Sequence, residues 1–261
     1  MSKENADRNE DWLSVVCEIA TNAGKLIRKK AKTKPIITHK GPVDLVTDAD
    51  IESEKYIISE LERGFPGHSI LGEEQGGSRE GDFLWAIDPI DGTTNYAHGF
   101  PVYAVSIGLF ANGQPTLGVV YDPNLNELFA ASRGGGATLN GKPISVSKTD
   151  NLNESLLATG FPYSLRENPD KIMADFKRLS LLCQGVRRTG AASLDLCALA
   201  CGRFDGFWEV ELKPWDTAAA GLIVEEAGGR LSKYDGSAFD HFHPGLVASN
   251  GLIHNQLVEN L

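Results

Sequence analysis

An apolar run, Phe83-Leu-Trp-Ala-Ile87, stops abruptly at Asp88-Pro-Ile-Asp91-Gly-Thr93. Such a short run bounded by turn signals predicts a buried strand. Pro89 cannot continue the ladder of a central strand, so the chain is expected to turn there. Two carboxylates three residues apart are then held on one tight turn at a strand end. Gly92 allows close backbone approach or an unusual dihedral. Thr93, Thr94 and Asn95 favour a helix start, where free N–H groups point at an anion. The turn therefore offers oxygens to a cation and N–H groups to a phosphate. Held at about 4 Å in an effective dielectric near 20, Asp88 and Asp91 repel by roughly 4 kcal/mol. A bound cation would offset that, and hard oxygen ligands select Mg²⁺ or a similar ion.

The strand sits among mixed elements. Trp12, Val15, Val16, Ile19, Ala23 and Ile27 recur at helical spacing and predict a helix over Trp12–Ala31. A second helix is expected over Ala49–Arg63, stopped by Gly64. Runs at 102–110, 116–121 and 127–132, separated by turn residues, read as antiparallel strands. Asn140-Gly141 marks a hairpin. The polar stretch 147–155 divides the chain into expected halves, 1–148 and 149–261. The second half reads as a strand at 156–159, helices at 169–182 and 191–200, and a strand at 204–210. A helix after Pro214, two short strands and a terminal helix complete it. The class is α+β, with sheets and helices stacked in layers.

With 261 residues the chain can bury a sizeable core. Its net charge of -10 argues against nucleic acid as a partner, because phosphate backbones are bound by Lys and Arg. No apolar run approaches the roughly 20 residues of a membrane span. The polar N-terminus has no apolar secretory core, so the cytoplasm is the expected location. The four cysteines, few and without C-x-x-C spacing, are expected to be reduced and buried. An acidic protein with an anionic substrate needs bound cations to dominate the local field.

Two further acidic stretches matter. Gly72-Glu73-Glu74 precedes the strand, and Pro214-Trp-Asp216 opens a helix, with Asp216 expected as its N-cap. The small residues Ala218–Gly221 predict very close packing of that helix. Taken together, Asp88-Pro-Ile-Asp91-Gly-Thr93-Thr94-Asn95, Gly72-Glu73-Glu74, Trp215-Asp216 followed by Glu225-Glu226-Ala-Gly-Gly, and Pro42-Val-Asp44-Leu-Val-Thr-Asp-Ala-Asp50 closely resemble the inositol monophosphatase family, from about Trp12 to the end of the chain.

The resemblance implies a five-layered αβαβα sandwich, a homodimer, lithium inhibition and two to three Mg²⁺ ions. It implies that Glu73, Asp88 and the Ile90 carbonyl ligate one ion, and Asp88, Asp91 and Asp216 a second, with a weaker third near Glu73. Thr93, with Asp50 behind it, would orient the attacking water. The Gly92 and Thr93 N–H groups would hold phosphate, with Asp91 beside them, and Glu209 and the backbone at Ala192 would contact substrate hydroxyls. The choice of Glu73 over Glu74 rests on the resemblance alone. Either His39 or Lys40 can supply the basic residue before the 42–50 segment. Two ions can clamp the attacking and leaving oxygens of an in-line displacement, so no protein nucleophile is needed. None is evident, since no G-x-S-x-G elbow occurs. The expected activity is hydrolysis of a small phosphomonoester, inositol monophosphate foremost. The alternatives are a related sugar, nucleotide or histidinol phosphatase, and a non-catalytic binding protein on the same fold.

Three motifs compete for attention. Gly136-Ala-Thr-Leu-Asn-Gly141-Lys142 nearly matches a nucleotide P-loop, but Pro143 stands where Ser or Thr is needed. Arg187-Arg188 could hold a second phosphate or face solvent or a partner subunit. His98, just past the acidic turn, is expected to make a structural hydrogen bond.

Overall fold

The computed structural model describes residues 3–41 and 44–261, with the side chains of the first helix described from Asp11 onward. Pro42 and Val43, which open the expected 42–50 segment, lie outside the described residues. Helix α1 (Lys3–Lys30) begins nine residues before the expected Trp12. A small ladder of β1 (Ile37–His39) with β2 (Leu45–Thr47) leads into α2 (Asp48–Gly64). Then come β3 (Ser69–Gly72), β4 (Gly76–Gly77), β5 (Phe83–Asp91) and the short α3 (Thr93–Ala97). A meander follows of β6 (Ala104–Ala111), β7 (Gln114–Asp122), β8 (Glu127–Ser132), β9 (Gly136–Leu139) and β10 (Lys142–Pro143). These strands form an eight-stranded sheet in the order β10-β9-β8-β7-β6-β5-β3-β4, in which only β3 and β5 run parallel.

The remainder builds a second sheet. Its elements are β11 (Leu156–Thr159), α4 (Pro169–Ser180), β12 (Gly185–Arg187), α5 (Ala192–Ala200), β13 (Gly206–Glu209), α6 (Pro214–Glu226), β14 (Arg230–Ser232), β15 (Leu246–Ser249) and α7 (His254–Val258). The strand order is β12-β11-β13-β15-β14.

Three large cores bind the layers, with a smaller cluster of Leu71, Leu84, Ala86, Phe110 and Ala218 beside the start of α6. Val16, Ile19 and Ile27 of α1 and Ile57 and Leu61 of α2 bury against Trp85, Ile87, Ile107 and Val119 on one face of the large sheet. On its other face Val120 and Phe129 meet Leu196 of α5 and Leu222 and Ile223 of α6, which also cover Phe207 and Leu246 of the small sheet. Leu179 of α4 and Leu257 of α7 close the far side over Leu157, Trp208 and Val247. The result is the αβαβα sandwich. The pleat sends neighbours such as Val119 and Val120 into different cores, so the central strands read as unbroken apolar runs.

Helix α6 approaches the sheet unusually closely, and this is what its small residues serve. A Cβ on Gly108 would stand 2.6 Å from Ala218 Cβ, and one on Gly118 would stand 2.5 Å from the Ala219 carbonyl oxygen. At the decoy P-loop, Asn140 (φ 50°) and Gly141 (φ 75°) turn the β9–β10 hairpin. All four cysteines are free thiols; Cys197 is buried and the others are half-buried.

Pro89 does not end β5. The strand runs on to Asp91, and its pairing with β6 jumps from Asp88↔Ser106 to Asp91↔Ala104. Three steps on β5 oppose two on β6, a bulge that accommodates a residue without an N–H.

Candidate active site

The bulge aims the two aspartates. Asp88 Oδ1 accepts the Ile90 N–H at 3.0 Å. Asp91 Oδ2 accepts both the N–H of Ser193 at 2.7 Å and its hydroxyl at 2.5 Å, so the start of α5 clasps the turn from the second half of the chain. Gly92 sits at φ 94°, where a Cβ would stand 2.9 Å from the Val102 carbonyl oxygen. Glycine alone suits that combination. It leads into α3, whose first residue, Thr93, has its hydroxyl 3.0 Å from Asp50 Oδ1 and 3.0 Å from the Ile90 carbonyl oxygen.

The other acids arrive from three directions. Parallel pairing sets Gly72 beside Ile87, and the Glu73 N–H donates to the Ile87 carbonyl at 3.2 Å, which brings Glu73 next to Asp88. Asp50 lies on the first turn of α2, where its Oδ2 accepts the Thr47 N–H at 2.8 Å in a capping box. Asp216 is the third residue of α6 rather than its N-cap. Lys213 holds the cap position, and its N–H donates to Asp216 Oδ2 at 2.7 Å. With Pro214 starting the helix, the carboxylate reaches back to the N–H of the cap residue.

These side chains meet in a cleft of about 440 Å³. Glu73, Asp88, Ile90, Asp91, Gly92 and Thr93 line it from the first half, and Ala192, Glu209 and Asp216 from the second. Asp50 stands behind Thr93, outside the lining. Glu73 faces the cleft, whereas Glu74 is held by Lys40 Nζ at 2.6 Å. The same ammonium lies 3.4 Å from Glu73, which makes Lys40 rather than His39 the basic partner of the acid loop. Both arginines are exposed, but Arg188 lines the cleft, with its guanidinium 5.8 Å from the centre of the Phe161 ring, and Arg187 does not. His98 is exposed; its backbone N–H closes α3. Tyr163, Asp195 and Lys213 also line the cleft, and Ser193 anchors Asp91. No local pattern marked these four, since only long-range folding brings them there.

Burial and mutual repulsion make the ionised acids costly. Glu73 is pushed up to about 8, by burial first, with Asp216, Glu74 and Asp50 adding to it and Lys40 opposing. Asp216 is pushed up to about 7 by burial, with Asp91 adding. Asp88 is raised well above the usual carboxylate range by burial, Glu73, Asp91 and Asp216. Glu209 is raised by burial and by Asp216, Asp195 and Asp91, against Arg188. Among the described residues no three acidic, His or Cys side chains are grouped closely enough to hold a metal ion as they stand. Instead Glu73 crowds Asp88 and helps to hold its carboxyl up. The donor set is nevertheless all oxygen, buried and mutually repelling, which is the chemistry a hard divalent cation matches.

The family model described as the inositol monophosphatase family matches residues 8–261. The inositol-1-monophosphatase of Synechocystis sp. is 47% identical over 255 residues, covering 97% of this chain and 89% of that protein. The Nus factor SuhB of Pseudomonas aeruginosa is 45% identical over 236 residues, 87% of each chain. Among solved structures, the inositol monophosphatase from Anabaena (Nostoc) sp. matches with a TM-score of 0.89 at 45% identity, covering 96% of this chain and 95% of that one. On sequence and architecture together, the chain belongs to the inositol monophosphatase family and is a phosphoric monoester hydrolase.

Proposed function

We propose that the protein hydrolyses a small polyol phosphomonoester, inositol monophosphate foremost, with Mg²⁺ held by Glu73, Asp88, the Ile90 carbonyl, Asp91 and Asp216. The observation that carries this reading is the convergence of four carboxylates from three separate stretches of sequence on one cleft. Two to three bound cations would supply charge stabilisation of the transition state and activation of water. Thr93, backed by Asp50, orients the attacking water through its hydroxyl. The N–H groups of Gly92 and Thr93 hold the phosphate, and Glu209 and the backbone at Ala192 take the leaving group's hydroxyls. Water is the nucleophile: the described lining of the cleft contains no Cys, Ser or His. The water oxygen bonds to phosphorus, the bond from phosphorus to the ester oxygen breaks, and a proton passes to the departing alkoxide.

The family resemblance extends the proposal to a homodimer, inhibited by lithium and working in the cytoplasm. Among the described residues no helix is long and apolar enough to cross a membrane. Phosphate release from inositol 1-phosphate, fructose 1,6-bisphosphate, adenosine 3′,5′-bisphosphate and histidinol phosphate, with and without Mg²⁺, tests the reading. Turnover of inositol 1-phosphate that disappears with EDTA and returns with Mg²⁺ is expected. Preference for any other member of the panel would overturn the substrate assignment.

A further inference from the structure

Helix α2 presents three buried polar side chains to Thr93, to the Asp88–Asp91 turn and to the loop that carries Glu73. Asp50 accepts from the Thr93 hydroxyl, and Ser53 Oγ donates to the Pro89 carbonyl at 3.1 Å. Glu54 Oε1 accepts the N–H of Glu74 at 2.9 Å and of Gln75 at 3.3 Å. All three side chains are wholly buried. Asp50 and Glu54 stand one helical turn apart, on the same face.

Glu54 is costly where it sits. Its Oε2 is buried with no hydrogen-bond partner. A buried carboxylate oxygen without a donor loses its hydration uncompensated, whereas an apolar side chain at this position would bury without that cost. The surroundings are shaped to admit it: a Cβ on Gly72 would collide with Glu54 Oε1. What an apolar side chain cannot do is accept the two N–H groups of the loop leaving β3. Glu73 hangs from that loop. On its outer side the loop is held by Lys40, whose partly exposed ammonium leaves the ion pair open to some screening by salt.

We infer that Glu54 is a positioning residue. It latches the 73–75 loop to the rigid helix that also carries Asp50, and so fixes Glu73 beside Asp88. The inference rests on the proposed role of Glu73 as a cation ligand. Partners that orient metal ligands in this way are worth about 10- to 100-fold in metal affinity.

The test compares Glu54→Ala with Glu54→Gln in the full-length protein. Glutamine keeps an acceptor for both N–H groups and places an amide NH₂ where Oε2 lacks a donor. In the Ala variant, half-maximal phosphate release should need about tenfold more Mg²⁺ or beyond. The rise of melting temperature with Mg²⁺, measured without substrate, should move to the same higher concentrations. Amide hydrogen exchange in the peptide spanning 73–75, measured without cation or substrate, should accelerate while β6 and β7 exchange at the wild-type rate. The Gln variant should stay close to wild type in all three. Wild-type exchange at 73–75 in the Ala variant would overturn the latch. Faster exchange with an unchanged Mg²⁺ requirement would overturn its link to Glu73. A wild-type enzyme indifferent to Mg²⁺ would remove the ligand reading itself, and that failure is distinguishable because exchange needs no cation. Should the Ala variant not fold, Gly72→Ala carries the same test, since it pushes the Glu54 carboxylate aside without deleting it.

Discussion

The Thr93 hydroxyl stands 3.0 Å from Asp50 Oδ1 across 43 residues of sequence. Asp50 cannot swing away, because its other oxygen accepts the N–H of Thr47 at 2.8 Å and its hydroxyl at 2.5 Å. A Thr93 proton committed to Asp50 leaves the hydroxyl's lone pairs to accept from a water in the cleft. Burial raises the Asp50 carboxyl while the Thr47 and Thr93 hydrogen bonds pull it down.

Asp50→Asn and Thr93→Ala should each lower kcat by about 10²- to 10⁴-fold, the usual worth of a positioned proton acceptor. Asp50→Asn also weakens the capping box of α2, at a cost of about 1 kcal/mol. Melting temperatures measured beside steady-state kinetics separate the two effects. Wild-type kcat in Thr93→Ala would remove the hydroxyl from the reaction.

Asp88→Asn should nearly abolish turnover while the fold survives. Asp88 crowds against Glu73, Asp91 and Asp216, so deleting its charge relieves repulsion. In EDTA the variant should melt higher than wild type by about 2–4 °C, equivalent to about 1 kcal/mol. Mg²⁺ should stabilise it much less than wild type. Calorimetry with and without the cation reads both, and normal activity in the variant would refute Asp88 as a ligand.

Glu209 ends β13 inside the cleft, in space left open by Gly160, where a Cβ would collide with its carboxylate. Glu209→Gln should lower kcat/KM for inositol 1-phosphate by about ten- to hundredfold, the loss of a charge-assisted hydrogen bond to a hydroxyl. Hydrolysis of an aryl phosphate, which offers no such hydroxyls, should fall less. Equal losses on both substrates would take Glu209 out of hydroxyl recognition.

His254 is wholly buried, with its ring nitrogens 2.9 Å from Ser249 Oγ and 2.8 Å from Ser232 Oγ, and burial lowers it to about 4. The unfolded chain takes up this proton near pH 6.5, before the folded protein does. The stability that His254 contributes is therefore complete above about pH 6.5 and is lost as pH falls toward about 4. Urea midpoints at pH 7 and pH 5 should differ more in wild type than in His254→Gln. Equal differences would mean that the imidazole is not held neutral.

Much of the architecture was legible in short stretches. The 3.6-residue spacing in Trp12–Ile27, the turns at Asn112-Gly113 and Asn140-Gly141, and the strand Leu156–Thr159 follow from side-chain size and backbone freedom within a few residues. Two local rules failed where tertiary contacts outweighed them. Pro89 stays within β5 because a bulge removes the need for its N–H, and Asp216 yields the cap position to Lys213 because Pro214 starts the helix earlier.

The sequence by itself determined the kinds of elements, the acidic motifs and the family, because periodicity, turn chemistry and motif spacing are local properties of the chain. Only the tertiary structure decided which acids meet. Parallel pairing of β3 with β5 carries Glu73 rather than Glu74 into the cleft, α5 brings Ser193 to Asp91, and α2 sets Asp50 behind Thr93 and Glu54 beneath the acid loop. Those meetings depend on strand order and on helices packed across a shared core, and burial in that core is what raises the energy of the assembled charges.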